Sequence, residues 1–139
     1  MEPRKIRIHL RSVIDGDEAQ YEYEGEYLRK HGSHNLVYTD YTGNEVTKVA
    51  LEATDLALLL HRVGFITADM LFDTETDTVV RYEAASLRSG FLLHTDDYRL
   101  KEEDGRIRID LAYVLHDSSG GPEIRSLLTF DITFLEGEL

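Results

Sequence analysis

The chain has no cysteine, which excludes disulfides, thiolate metal sites and thiol catalysis. It also lacks any long hydrophobic run. Its longest strongly apolar stretch, Leu56–Leu60, falls far short of the roughly 20 residues a membrane-spanning helix needs. The amino terminus is basic and alternating and lacks the apolar h-region of a signal peptide, so cytoplasmic residence is expected and membrane association is not. Bases are scarce beside acids: 15 Lys and Arg against 27 Asp and Glu leave a formal net charge of −12. So acidic a surface repels phosphate backbones and argues against sequence-independent nucleic-acid binding. It favours solubility, with attraction of a basic protein partner as the sharper alternative. Catalytic signatures are missing as well. The chain has no Gly-x-Ser-x-Gly elbow, no phosphate-cradling Gly-Lys-Ser/Thr loop, no His-Glu-x-x-His and no dinucleotide fingerprint. No cofactor is indicated, and no repeat, linker or low-complexity tract interrupts the sequence.

What is present is period-two alternation from Arg4 almost to the carboxyl end. Ile6, Ile8 and Leu10 alternate with Lys5, Arg7, His9 and Arg11; Ile107, Ile109, Leu111, Tyr113 and Leu115 alternate with Arg106, Arg108 and Asp110. Successive side chains of a strand point to opposite faces, so these stretches are half-buried strands. About ten of them follow one another with only short glycine-bearing turns between, the pattern of an all-β, antiparallel meander barrel of eight to ten strands. With 139 residues, 42% of them hydrophobic, residues 1–139 form one domain with a real core.

The first hairpin turns at Asp15-Gly16-Asp17. Pairing Ile14 with Ala19 sets Arg11, His9 and Arg7 opposite Glu22, Glu24 and Glu26 on one face, and Leu10 and Ile6 opposite Tyr23 and Tyr27 on the other. The glutamate row is then a solvated outer face, and Gly25 marks a bend. Further turns are expected at Gly32, Thr42-Gly43-Asn44, Gly64, Asp73–Asp77, Asp104-Gly105 and Gly120-Gly121-Pro122.

Several short stretches, in order, resemble the YwiB-like family: Lys5-Ile6-Arg7-Ile8 and the Asp-Gly turn, Arg62-Val63-Gly64, Met70-Leu71-Phe72, Tyr82, Gly90, Gly105-Arg106-Ile107-Arg108-Ile109 and Tyr113-Val114-Leu115. The chain departs from the family's pattern at Ala84–Gly90, where the family places a Thr-Pro-like turn. The resemblance implies a small bacterial protein of unknown function with a calycin-like, lipocalin-like barrel. By analogy with lipocalins it implies a container for apolar ligands. It implies no catalytic residue.

Six histidines are the natural acid–base and metal groups. His31 and His34 flank a turn without a third convergent ligand, so no metal site is expected. His9 falls in the outer row as a partner for Glu24, and His116 meets a surface loop. His61 and His94 lie within apolar strands. If Asp104-Gly105 is a two-residue loop, Leu100 pairs with Ile109 and Tyr98 with Leu111, and simple alternation turns Leu92, His94 and Asp96 inward. A bulge near Asp96-Asp97 would instead place Phe91, Leu93 and Thr95 inside. Arg62 shares the parity of Leu58 and Leu60, which carries it to the interior or the mouth. There it needs an acceptor: a ligand carboxylate, or Glu83, Asp96 or Asp110. Tyr82, Met70, Phe72 and Tyr113 would line the cavity.

Three functions are consistent with this pattern. The leading one is a binding protein for a small, partly apolar molecule, an anionic group on it being one option, with Arg62 and His94 as the polar anchors. The second is an isomerase- or hydrolase-type enzyme using His94 or His61 with a carboxylate. The third is a filled barrel serving protein interaction, as a homodimer for instance.

Overall fold

Two Xxx-Gly turns set the first three strands. Asp15 and His31 both adopt positive φ (49° and 52°), and each is followed by a glycine at positive φ, Gly16 and Gly32. Consecutive positive φ angles make the type I′ turn, whose twist matches that of the strands it joins. In the computed structural model, which describes residues 2–41, 45–64, 66–84, 87–117 and 121–135, these turns join β1 (Arg4–Ile14) to β2 (Asp17–Lys30) and β2 to β3 (Ser33–Asp40). Seven more strands continue the meander: β4 (Thr47–Ala53), β5 (Ala57–Val63), β6 (Ile66–Asp73), β7 (Thr78–Ala84), β8 (Leu87–Glu103), β9 (Arg106–Asp117) and β10 (Ile124–Phe134). Each pairs antiparallel with the next, and β10 returns to β1 to close a ten-stranded barrel. No helix among the described residues is long and apolar enough to cross a membrane.

The first hairpin has the expected faces but not the expected partners. Its loop is the two residues Asp15-Gly16, so Ile14 pairs with Asp17, His9 with Glu22 and Ile6 with Gly25. The pairing expected from the sequence is displaced by two residues. An even displacement preserves which face each side chain occupies. His9 accordingly meets Gln20, at 3.0 Å, rather than Glu24. Arg7–Glu24 and Arg11–Glu18 complete the outer ion pairs. Of the expected turns, Thr42-Gly43-Asn44 and Gly120 lie outside the described residues, as do Ala85-Ser86 of the segment that departs from the family pattern.

Inward rows from all ten strands make the core. Ile6, Ile8, Leu36, Leu58, Phe72, Leu93, Ile109, Phe130 and Ile132 are fully buried. One end of the barrel is sealed. There Tyr27 packs edge-on against Phe134, with ring centroids 4.9 Å apart, and Arg4 lies 4.0 Å over the Phe134 ring. The other end is open and holds the cavity described below.

Candidate functional site

At the open end the inward rows stop meeting at the barrel axis and enclose a cavity of about 450 Å³. Leu60, Met70, Phe72, Leu128 and Phe130 form its apolar wall. Phe72 and Tyr113 make an edge-to-face pair beside it, with centroids 4.9 Å apart. Opposite stands a run of tyrosines: Tyr21 lies 6.2 Å from Tyr23, which stacks 4.5 Å from Tyr38. Burial pushes the Tyr38 hydroxyl's pKa well above the usual phenol value. Tyr23 and Asp40 add to this, and the charge of Arg62 opposes it. Tyr38 so placed stays neutral and acts as a hydrogen-bonding group on an otherwise apolar wall.

Arg62 brings the cation. Its strand is inward at Leu58 and Leu60, and the same parity carries Arg62 to the cavity, flanked across the ladder by Val49 and Ala68. Both neighbours are buried and offer no acceptor. The Arg62 Nε is buried and has no hydrogen-bond partner. Asp40 and Glu45 also border the cavity. Two of the protein acceptors expected from the sequence are engaged elsewhere. Asp110 takes Arg108 and Thr129 on the outer face, and Asp96 takes His94. An unmet donor on an ionised group is costly in a protein interior, and a charge-assisted bond to an incoming oxygen would relieve that cost.

The remaining expected site residues separate. Met70, Phe72 and Tyr113 line the cavity as anticipated. Tyr82 lies on the partly buried row of β7 but packs edge-on against Phe91, at 6.3 Å, and does not border it. His94 is not inside. Leu100 does pair with Ile109 and Tyr98 with Leu111, but the β8–β9 register shifts between Thr95 and Asp97. Asp96 is the extra residue of a bulge, which reverses the faces before it. Leu93 and Thr95 are therefore buried, and His94 is about half exposed on the outer wall. There its Nδ1 lies 2.7 Å from Asp77 and its Nε2 3.1 Å from Asp96. The Asp77 hydrogen bond, followed by the nearby carboxylate charges, holds the imidazole pKa above its ordinary value. His61 has the opposite parity to Arg62 and pairs with Asp69 outside as well.

Two further polar groups are interior: Thr95, on the face that the bulge alternative turns inward, and His34, which was not anticipated. Thr95, turned in by the bulge, has a buried hydroxyl without a partner. His34, expected in a solvated turn, is buried at the sealed end, with its Nδ1 2.7 Å from the Tyr27 hydroxyl and its Nε2 3.6 Å from Glu102. Burial lowers its pKa. Its parity, shared with Leu36 and Tyr38, was the available signal. Among the described residues no cluster of three or more His, Asp and Glu could hold a metal ion.

Comparison with known proteins agrees with this architecture. The crystal structure of ywiB protein from Bacillus subtilis superposes with a TM-score of 0.81, covering 96% of this chain and 94% of that one at 20% sequence identity. The shared fold is the calycin-like barrel. No curated protein matches the chain. The family described as Domain of unknown function (DUF1934) matches residues 6–124, and on that match the chain belongs to it.

Proposed function

We propose that this protein binds a small, partly apolar molecule bearing one anionic group, with the ligand's body against the aromatic wall and its anion on Arg62. The observation that carries this is the buried Arg62 Nε without an acceptor in a cavity otherwise lined by apolar and tyrosine side chains. A volume of about 450 Å³ lies within the range of small-molecule sites, which pair an apolar lining with a few convergent polar groups. Asp40 and Glu45 at the same cavity disfavour a multiply charged anion, so a monocarboxylate suits it better than a phosphate. The histidine–carboxylate pairs of His61 and His94 sit on the outer wall, away from this cavity, which favours binding over turnover.

Native mass spectrometry of the purified protein, with solvent extraction of whatever accompanies it, tests the proposal. A stoichiometric adduct whose extracted component is a monoanionic organic acid, and which is lost from Arg62→Met, is the expected result. An adduct that is neutral, or retained by Arg62→Met, would overturn it.

A further inference from the structure

The barrel has a seam. In the two-residue hairpin joining β1 to β2, Ile14 and Asp17 are the hydrogen-bonded pair that flanks the turn, and bonded pairs recur at every second residue. The odd-numbered residues of β2 therefore spend their peptide groups on β1. Those of Glu18, Gln20, Glu22 and Glu24 point the other way, toward β3. The β2–β3 ladder, however, covers only Gly25–Lys30. Counting back from the Lys30–Ser33 pair, the next bonded pair after Glu26–Val37 would be Glu24 with Thr39, and it is not completed: Gly25–Tyr38 is the last rung. Among the described residues the peptide groups of Glu18, Gln20 and Glu22, and the amide of Glu24, have no ladder partner.

The strands part at Gly25. A Cβ there would lie 2.4 Å from the Val37 carbonyl oxygen and 3.1 Å from the Tyr38 Cβ, so β3 presses close on β2 at this residue, and no rung joins the strands beyond it. Outside the unladdered stretch lies a groove of about 1000 Å³, bordered by Glu22, Glu24 and Glu26 on one side and by exposed Val37, Tyr41 and Val63 on the other.

We propose that this open edge of β2 is the docking site of an extended basic peptide segment, which adds to the barrel as a further strand. Strand addition takes its affinity from main-chain bonds and its specificity from alternate side chains. Glu18, Gln20, Glu22 and Glu24 share the outer face, so an added strand sets its own alternate residues beside them. Lysine or arginine at every second position then meets the glutamates, with threonine or valine between. Arg11 holds Glu18 at 2.6 Å, but the cations beside Glu22 and Glu24 do not pre-empt this. Arg7–Glu24 and His9–Glu22 are exposed contacts of 3.4 and 3.8 Å whose carboxylates remain 75% and 68% accessible, and such pairs are weakly held. A second copy of this chain is a poor occupant. Antiparallel self-pairing centred on the edge would set Glu18 against Glu24 and Gln20 against Glu22, and like charges directly opposite are repulsive. The edge is about 20 Å long at the strand rise of roughly 3.3 Å per residue, enough for a segment of about seven residues.

The test uses a synthetic octapeptide with lysine at alternate positions and threonine or valine between, and an isomer of the same composition with its lysines in one block. Binding is read by calorimetry and by amide hydrogen exchange of the intact protein. In the free protein the amides of Glu18, Gln20, Glu22 and Glu24 should exchange much faster than those of Ala19 and Tyr21. The alternating peptide should protect them and bind at least about tenfold more tightly than its isomer. Glu22→Pro removes one edge donor where the ladder does not need it and should abolish the protection. Slow exchange of the four amides in the free protein, equal affinity for the two isomers, or peptide binding unchanged by Glu22→Pro in a folded variant would each overturn the proposal. The exchange measurement on the unmodified protein stands even if that variant does not fold.

Discussion

Tyr23 and Tyr38 stack with their ring centroids 4.5 Å apart and their planes 23° from parallel, across the place where β2 and β3 have lost their ladder. Tyr38 is laddered to Gly25, whose missing side chain leaves the inner face free for the two rings. The stack thus bridges the seam from within. It borders both the interior cavity and the outer groove.

Truncating this stack should cost far more than removing a hydroxyl from it. Tyr38 is 7% exposed, and deleting a buried aromatic ring typically costs about 3–5 kcal/mol. Tyr38→Ala is expected to fall in that range by urea unfolding, and Tyr38→Phe to stay within about 1 kcal/mol of the parent. Equal losses for the two variants would place the stabilisation in the hydroxyl instead of the ring.

Glycines in this sheet should differ sharply in their tolerance of a methyl group. At Gly25 the added Cβ meets a backbone oxygen at 2.4 Å, whereas at Gly90 the nearest atom is 3.9 Å away. Gly25→Ala should destabilise by about 1–3 kcal/mol through overpacking, and Gly90→Ala should be neutral or slightly stabilising, since it reduces the freedom of the unfolded chain. Paired denaturation curves decide this.

Much of this architecture is legible in the sequence, because period two is a local signal repeated ten times. The inward row of β10 and the parity of Arg62 follow from alternation alone. What alternation cannot fix is anything that shifts by an even number or hides in one extra residue. The four-residue first turn and the actual Asp15-Gly16 turn leave every side chain on the same face, so only turn geometry separates them. In β8 both candidate faces, Leu92-His94-Asp96 and Phe91-Leu93-Thr95, mix apolar and polar residues. The bulge at Asp96 that chooses between them leaves no local mark. Asp40, at the end of β3, and Glu45, shortly before β4, both reach the cavity, a relation of the folded chain that residue spacing does not carry.

Two histidines should titrate in opposite directions. His34, with burial as the first cause, should titrate below the ordinary 6.5. His94, held by Asp77 first, should titrate above 6.5. Resolved imidazole resonances across a pH series check both. Asp77→Asn should lower the His94 value more than Asp96→Asn does. The linkage signs differ accordingly. The contribution of neutral His34 is present above pH 6.5 and is lost as pH falls through its depressed folded value. That of protonated His94 is complete below 6.5 and fades as pH rises through its elevated one. A common titration near 6.5 for both would contradict these environments.

Arg62 should be a stability cost carried for function. Replacing it by an apolar side chain of similar length removes an unsatisfied donor, so Arg62→Met is expected to stabilise the ligand-free protein by about 1 kcal/mol. Chemical denaturation gives the answer, and a loss of more than about 1 kcal/mol would mean that the guanidinium has an internal partner.

The most direct measurement is a fluorescence titration with a matched pair of probes, anthracenecarboxylate and anthracenemethanol, against the parent and Arg62→Met. If Arg62 is the anion anchor of the cavity, the parent should prefer the carboxylate by about ten- to a hundredfold, the worth of one charge-assisted hydrogen bond. Arg62→Met should bind the two probes alike. Equal affinities in the parent, or a carboxylate preference that survives in Arg62→Met, would contradict the proposed role of the cavity.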